Sequence, residues 1–217
     1  DFVYHFDNEG NNLSGGFSVT AANGVGSSAG QGIFFNGSDF YMTDFPDNFI
    51  YHLDKTGTNQ TDGITISQAG VSNAGGIFFN GSDFWVEDIT DDFLYHFNLT
   101  GGNYTSASTS SINAVGIPGF SLATGSSSIN PVGLASNGSD FWVASNSNLF
   151  IYHFDMNGNN ISDGFSTTPY GSAEPVGATM QYPFGANTDI WTTDASDDKF
   201  VYHLAQFSTN TVAGNRS

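Results

Sequence analysis

The chain has 217 residues, with 3 Lys plus Arg against 21 Asp plus Glu and a formal net charge of -18. That balance excludes nucleic acid and anionic membrane surfaces as partners, because both require a basic face that displaces counterions. There is no Cys, which excludes disulfides, thiolate nucleophiles and Cys-ligated zinc, and no apolar run approaches the ~20 residues of a membrane-spanning helix.

In chain order, the first segment, Asp1 to about Thr20, holds one apolar strand, Phe2-Val3-Tyr4-His5-Phe6, and a weaker second one. Four longer units follow, at about 30–68, 74–112, 131–168 and 175–212. Each of them reads as four short strands, a to d. In the first unit, strand a is Gly32-Ile33-Phe34-Phe35, an Asn36-Gly37 turn follows, strand b starts at Asp39-Phe40, and strand c is Phe49-Ile50-Tyr51-His52-Leu53. Asn-Gly between apolar runs is hairpin chemistry, since both residues tolerate positive φ. The second unit repeats the block as GIFFNGSDFWVED, Gly76 to Asp88, and its strand c as Phe93 to Phe97. The segment at 106–128 is rich in Ser, Gly and Ala and reads as an inserted surface loop. The third unit carries GLASNGSDFWVAS, Gly133 to Ser145, and the fourth a degenerate ANTDIWTTD, Ala186 to Asp194.

The Tyr-His pair marks the period: Tyr4-His5, Tyr51-His52, Tyr95-His96, Tyr152-His153 and Tyr202-His203, spaced 44 to 57 residues apart. That spacing is of the order of a four-stranded propeller blade, about 40–50 residues. Strands b and c are apolar or aromatic on both faces, whereas a strand covered on one side alternates with polar residues. Sheets stacked face to face meet that demand, and 15% aromatics supply side chains large enough for the wedge between them. The fold expected is therefore all-β: a β-propeller of four to five four-stranded blades. There are five c strands but only four a-b blocks. The opening half blade, 1–20, is completed in one of three ways: by an upstream hairpin, by the tail Gln206 to Ser217, or by a neighbouring molecule through strand addition.

The unit G-I-x-x-N-G-S-D-F-W-V-x-D followed by F-V-Y-H-F-D-x-x-G-N resembles the blade repeats of β-propellers of the broad NHL-like kind. The resemblance covers nearly the whole chain and implies architecture; propellers host enzymes, binding modules and scaffolds alike. The His after Tyr and the Asn-Gly-Ser turn are not general features of those repeats.

The repetition governs the chemistry expected. His5, His52, His96, His153 and His203 occupy one repeat position, as do Trp85, Trp142 and Trp191. Copied residues are architectural, so these are expected to be packed side chains, the histidines bonding to a neighbouring blade. The b-c turns are acidic at Asp44, Asp47, Asp88, Asp91, Asp194 and Asp197, with Ser145 and Asn148 in the third unit. Such turns hold the oxygen ligands calcium takes, and equally the Asx chemistry that caps turns. Asp155-x-Asn157-Gly158-Asn159 resembles the start of a calcium loop but lacks its sixth-position Gly and terminal Glu. Calcium is the one cofactor considered; none is required.

Asn-x-Ser/Thr sequons stand at Asn12, Asn36, Asn59, Asn80, Asn98, Asn103, Asn137, Asn160 and Asn215 and are candidates for glycosylation. No nucleophile elbow, P-loop, zinc-helix motif or dinucleotide fingerprint is present. The expectation is a non-enzymatic extracellular structural or adhesive module, self-associating or bound to another extracellular protein, plausibly as a filament formed by strand completion. The alternative is a lectin-like propeller that binds carbohydrate or protein, with Tyr104 and Tyr170 as aromatic contacts. A propeller lyase or hydrolase comes third, because the Arg, His and Glu cluster such an enzyme uses is not visible and the one Arg is Arg216.

Overall fold

The computed structural model describes residues 2–7, 10–19, 30–101, 119–123, 129–172, 174–180, 190–195 and 201–204. They form an all-β fold. A two-stranded hairpin, β1 (Phe2–Phe6) and β2 (Asn12–Ser18), precedes four antiparallel sheets. The first blade is β3 (Gly30–Phe35), β4 (Phe40–Asp44), β5 (Phe49–Leu53) and β6 (Ile64–Thr65). The second is β7 (Ala74–Phe79), β8 (Asp83–Asp88), β9 (Phe93–Asn98) and β10 (Phe120–Ser121). The third is β11 (Pro131–Ser136), β12 (Asp140–Ser145), β13 (Phe150–Asp155) and β14 (Phe165–Ser166). The fourth contributes β15 (Pro175–Met180), β16 (Ile190–Asp194) and β17 (Val201–Leu204) among the described residues. Strands pair in the order in which they occur within each blade, as a propeller requires.

The first strands of successive blades, β3, β7, β11 and β15, lie side by side around the axis. No comparable contact joins β15 back to β3 among the described residues. The crowding at this inner radius explains the repeated glycine of the a strand. A Cβ on Gly32 would lie 2.6 Å from the Gly75 carbonyl oxygen, and one on Gly76 2.6 Å from the Leu134 nitrogen. Thr43 Oγ1 donates to the Gly75 carbonyl at 2.6 Å and ties the first blade to the second at the same level.

The hairpin between strands a and b is a four-residue loop rather than a two-residue turn. Phe35 pairs with Phe40, and Phe79 with Phe84, leaving Asn-Gly-Ser-Asp between them. Only the glycine takes positive φ, 99° at Gly37 and 100° at Gly81. The Asn instead works through its side chain: Asn36 Oδ1 accepts from the N–H groups of Ser38 and Asp39, both at 2.8 Å, and Asn80 and Asn137 do the same.

Each apolar cluster is a seam between neighbouring sheets. Between the second and third blades, Phe78, Trp85 and Leu94 meet Leu134, Phe141, Val143 and Phe154. The seam behind the first blade joins Phe17 and Val19 to Met42, Tyr51 and Leu53, so the β1–β2 hairpin is stacked as the outer half of a preceding blade. The last residue of each b-c turn is a second cross-link. Asn48, Asp92 and Leu149 sit at positive φ, and their carbonyls accept from Ile66, Leu122 and Thr167 at the end of the same blade. The Asn48 and Asp92 side chains also reach forward to the Ala74 and Asn130 N–H groups of the next blade.

One segment differs from the sequence reading. Within 106–128, read as a surface loop, Phe120–Ser121 is the outer strand of the second blade, and Leu122 is fully buried. Phe120 and Leu122 are the apolar pair that a Ser- and Gly-rich surrounding concealed. Replacing Trp85 with Ala empties the centre of a seam and is expected to cost about 3–5 kcal/mol in chemical denaturation. Gly76→Ala is expected to destabilise through backbone overlap rather than through a cavity.

Candidate functional site

Three copies of the repeated histidine, His52, His96 and His153, lie flat on the aromatic ring opposite them in strand b. The ring centroids are 4.7 Å apart for Tyr41–His52, 3.9 Å for Trp85–His96 and 4.2 Å for Trp142–His153. The register is set by direct pairing of these residues across the two strands. His52 Nδ1 donates to Asp62 at 2.7 Å and His153 Nδ1 to Asp163 at 2.6 Å, both acceptors lying in the c-d loop of the same blade. This corrects the expectation that the histidines bond a neighbouring blade: a c-strand ring points along its own sheet toward its own loop. On the other side, Nε2 faces the Asp of the a-b loop, at 3.9 Å for Asp39 and 4.0 Å for Asp140. Nε2 of His52 and His153 is enclosed and makes no hydrogen bond among the described residues, while the partner carboxylates Asp62 and Asp163 are exposed. Trp191 pairs with His203 in the same register; His5 is exposed.

The carboxylates that open the b-c turns, Asp44, Asp88 and Asp194, are buried and turned toward backbone, whereas Asp47 and Asp91 are exposed. Asp88 is buried and accepts from the N–H groups of Ser72 (2.6 Å), Thr90 (2.8 Å) and Asp91 (3.0 Å). Asp194 accepts from the Ser72 counterpart Ser172 through its hydroxyl at 2.6 Å, and from the Glu174 N–H at 3.0 Å. Asp44 accepts from the Asp47 N–H, and Asp47 from the Tyr51 hydroxyl. Ser145 takes over in the third blade by donating to the Ile129 carbonyl and accepting from Asn148. The repeated acid thus latches the b-c turn and, at Asp88 and Asp194, the chain entering the blade. Among the described residues no group of three or more His, Asp or Glu side chains is placed to hold a metal ion. Asp197 lies outside the described residues.

The calcium-like turn is also self-contained. Asp155 accepts from the N–H groups of Asn157 and Asn159 and from the Asn159 side chain, which holds its carboxyl below the usual range. Asp54 repeats this with Thr56 and Thr58, its carboxyl lowered chiefly by the Thr56 hydroxyl. Of the sequons, Asn12, Asn36, Asn80 and Asn160 are exposed, Asn59, Asn98 and Asn137 are half-buried, and Asn103 and Asn215 lie outside the described residues. Tyr104 lies outside them too, and Tyr170 ends a short 3-10 turn, Thr168–Tyr170.

The one singular polar group is Glu87, which the sequence reading passed over. It stands where the other blades have Thr43, Ala144 and Thr193, fully buried at the inner seam between the second and third blades. Oε2 accepts from the Gly76 N–H at 3.1 Å, while Oε1 has no hydrogen-bond partner among the described residues. Burial pushes this carboxyl up to about 8, the Gly76 bond offsetting only part of the effect. The signal available in sequence was the substitution itself, Val-Glu-Asp against Met-Thr-Asp and Val-Ala-Ser. Because the folded state holds this proton more tightly than the unfolded chain does, the stability it contributes is complete below the ordinary 4.5 and is lost as pH rises to about 8. Melting temperature measured against pH is expected to fall across that window in the native chain and to fall less in Glu87→Gln. Parallel curves would show that the carboxyl does not titrate there.

The two ends of the blade series expose what the seams bury. Phe2, Tyr4 and Phe6 are 47%, 60% and 52% exposed along one face of β1, whereas the corresponding Tyr51 and Leu53 are 6% and 0%. On the same side, Ile33 and Phe35 are 46% and 44% exposed against 3% for Ile77. At the opposite end Val201 is 54% exposed, although its counterparts Ile50, Leu94 and Ile151 are at most 1%.

No protein-family model matches the chain, and no curated protein matches it. Solved structures do. Virginiamycin B lyase from Staphylococcus aureus aligns over 99% of this chain at 16% identity and a TM-score of 0.55. A putative 6-phosphogluconolactonase from Bacteroides uniformis aligns over 97% at 13% identity and a TM-score of 0.53. The chain spans 62% of the length of each. BBS1N, solved in complex with ARL6DN, aligns over 86% at 12% identity and a TM-score of 0.50, this chain spanning 51% of it. Proteins so different in name share with this chain its architecture, and on that ground it is a β-propeller.

Proposed function

We propose that the chain is a non-catalytic interaction module of the extracellular space that associates with further copies of itself through the exposed apolar faces of β1 and β17. The observation that carries this reading is the pair of exposed apolar faces: Phe2, Tyr4 and Phe6 behind, Val201 in front. The corresponding faces are closed by burial at four seams elsewhere in this chain. Contiguous apolar surface of this kind marks an association site on a protein in water. A front face that meets the rear face of another copy is a head-to-tail contact, which builds rings if its rotation closes and filaments if it does not. The exposed sequons at Asn36, Asn80 and Asn160 and the absence of Cys and near absence of Lys suit an extracellular surface. The likeness to a lyase and to a putative lactonase is one of fold.

Light scattering on size-fractionated chain, with electron microscopy of the same material, is the test. Mass is expected to grow with concentration and with salt, since screening relieves repulsion between copies of charge -18. Tyr4→Asp and Val201→Asp should each abolish growth, and their mixture should give dimers and nothing larger, because one intact contact remains. A chain that stays monomeric at every concentration would sink the reading.

A further inference from the structure

We infer that Asn36 and Asn80 are self-modification sites, where the folded chain converts side-chain amide to acid through a cyclic imide closed by the following glycine. Asn-Gly carries this chemistry in any chain, because the glycine nitrogen and the Asn Cγ close an unstrained ring and glycine puts no Cβ in the way. The pairs Asn36-Gly37, Asn80-Gly81, Asn137-Gly138 and Asn157-Gly158 lie among the described residues. They are one dipeptide in sequence, and the fold makes them different.

The electrophile is polarised in the a-b loops. Asn36 Oδ1 accepts from the Ser38 N–H at 2.8 Å, the Asp39 N–H at 2.8 Å and the Ser38 hydroxyl at 2.9 Å. Asn80 Oδ1 accepts from the Ser82 N–H at 2.9 Å, the Asp83 N–H at 2.8 Å and the Ser82 hydroxyl at 3.0 Å. Fixed donors around a carbonyl oxygen that is to become an oxyanion lower the barrier to attack on its carbon. The nucleophile is also accessible. The Gly37 and Gly81 N–H groups meet no acceptor among the described residues, both residues are exposed, and a Cβ on either would touch nothing within 4 Å.

The other two pairs lack one or both conditions. Asn137 Oδ1 has the same set of donors, but the Gly138 N–H donates to Ser136 Oγ at 3.0 Å. Ser136 stands where the first two blades have Phe35 and Phe79. At Asn157 no described group donates to the amide oxygen, the Gly158 N–H donates to the Asp155 carbonyl at 3.0 Å, and the Phe120 ring crowds the glycine. In the reactive pairs the glycine nitrogen gives its proton to water or hydroxide and bonds to Cγ. The Cγ–Nδ2 bond then breaks and ammonia leaves with a proton from solvent. Water opens the imide at either carbonyl, giving aspartate or isoaspartate. Each event adds a carboxylate to the loop, and isoaspartate lengthens its backbone by one methylene.

The test holds the full chain, produced in bacteria so that Nδ2 carries no glycan, at mildly alkaline pH. Mass spectrometry of its peptides then follows aspartate and isoaspartate at each site over time. Asn36 and Asn80 are expected to convert about tenfold or more faster than Asn157, the scale of oxyanion stabilisation by fixed donors. Ser38→Ala should slow Asn36 severalfold and leave Asn80 unchanged. Ser136→Ala frees the Gly138 N–H and should speed Asn137, with Asn36 in the same sample reporting an intact fold. In urea the rates at the four sites should converge. The inference is overturned by Asn157 converting as fast as Asn36 in the folded chain, by the folded order persisting in urea, or by both serine variants leaving their sites unchanged.

Discussion

A sheet that is apolar on both faces has to be covered on both, and this constraint organises the whole structure. Strands b and c of each blade carry large side chains forward and backward, as with Trp85 and Phe84, both fully buried in different seams. Burial is the dominant favourable term in folding, so each blade gains it from its neighbours rather than from a core of its own. Stacking therefore propagates from blade to blade along the described residues.

Polar residues serve the same geometry. The inner strands approach until only glycine fits at Gly32 and Gly76. Around them, repeated Asp and Asn side chains absorb the N–H groups that turns leave unpaired. Asp88 alone receives several, and Asn36, Asn80 and Asn137 hold their hairpin loops by one pattern. At Asp44, Asp88 and Asp194 the charge that looks in sequence like a cation ligand is thereby committed to the turns and the chain beside them. The formal net charge remains -18 all the same.

Glu87 departs from this economy. A buried carboxyl with one hydrogen bond is stable only as the neutral acid, and its environment keeps it so. The inner contact between the second and third blades thus carries a buried carboxyl where the contact between the first and second carries the Thr43 hydroxyl.

The sequence by itself determined the repeat, the all-β class, the strand order within a blade and the half blade at the start, because each follows from periodicity and two-faced hydrophobicity along the chain. It also placed Trp85 and Trp142, and likewise His52, His96 and His153, at single repeat positions. It did not reveal that the histidines bond their own loops, that Asn36 acts through its side chain instead of its φ, or that Phe120 and Leu122 belong to a blade. Those depend on which direction a side chain leaves its sheet and what then lies opposite. Tertiary structure alone decided the state of Glu87 and the exposure of Phe2, Tyr4, Phe6, Ile33 and Val201. Burial is a property of neighbours brought together by folding, and identical repeat positions have different neighbours in the middle of the series and at its ends.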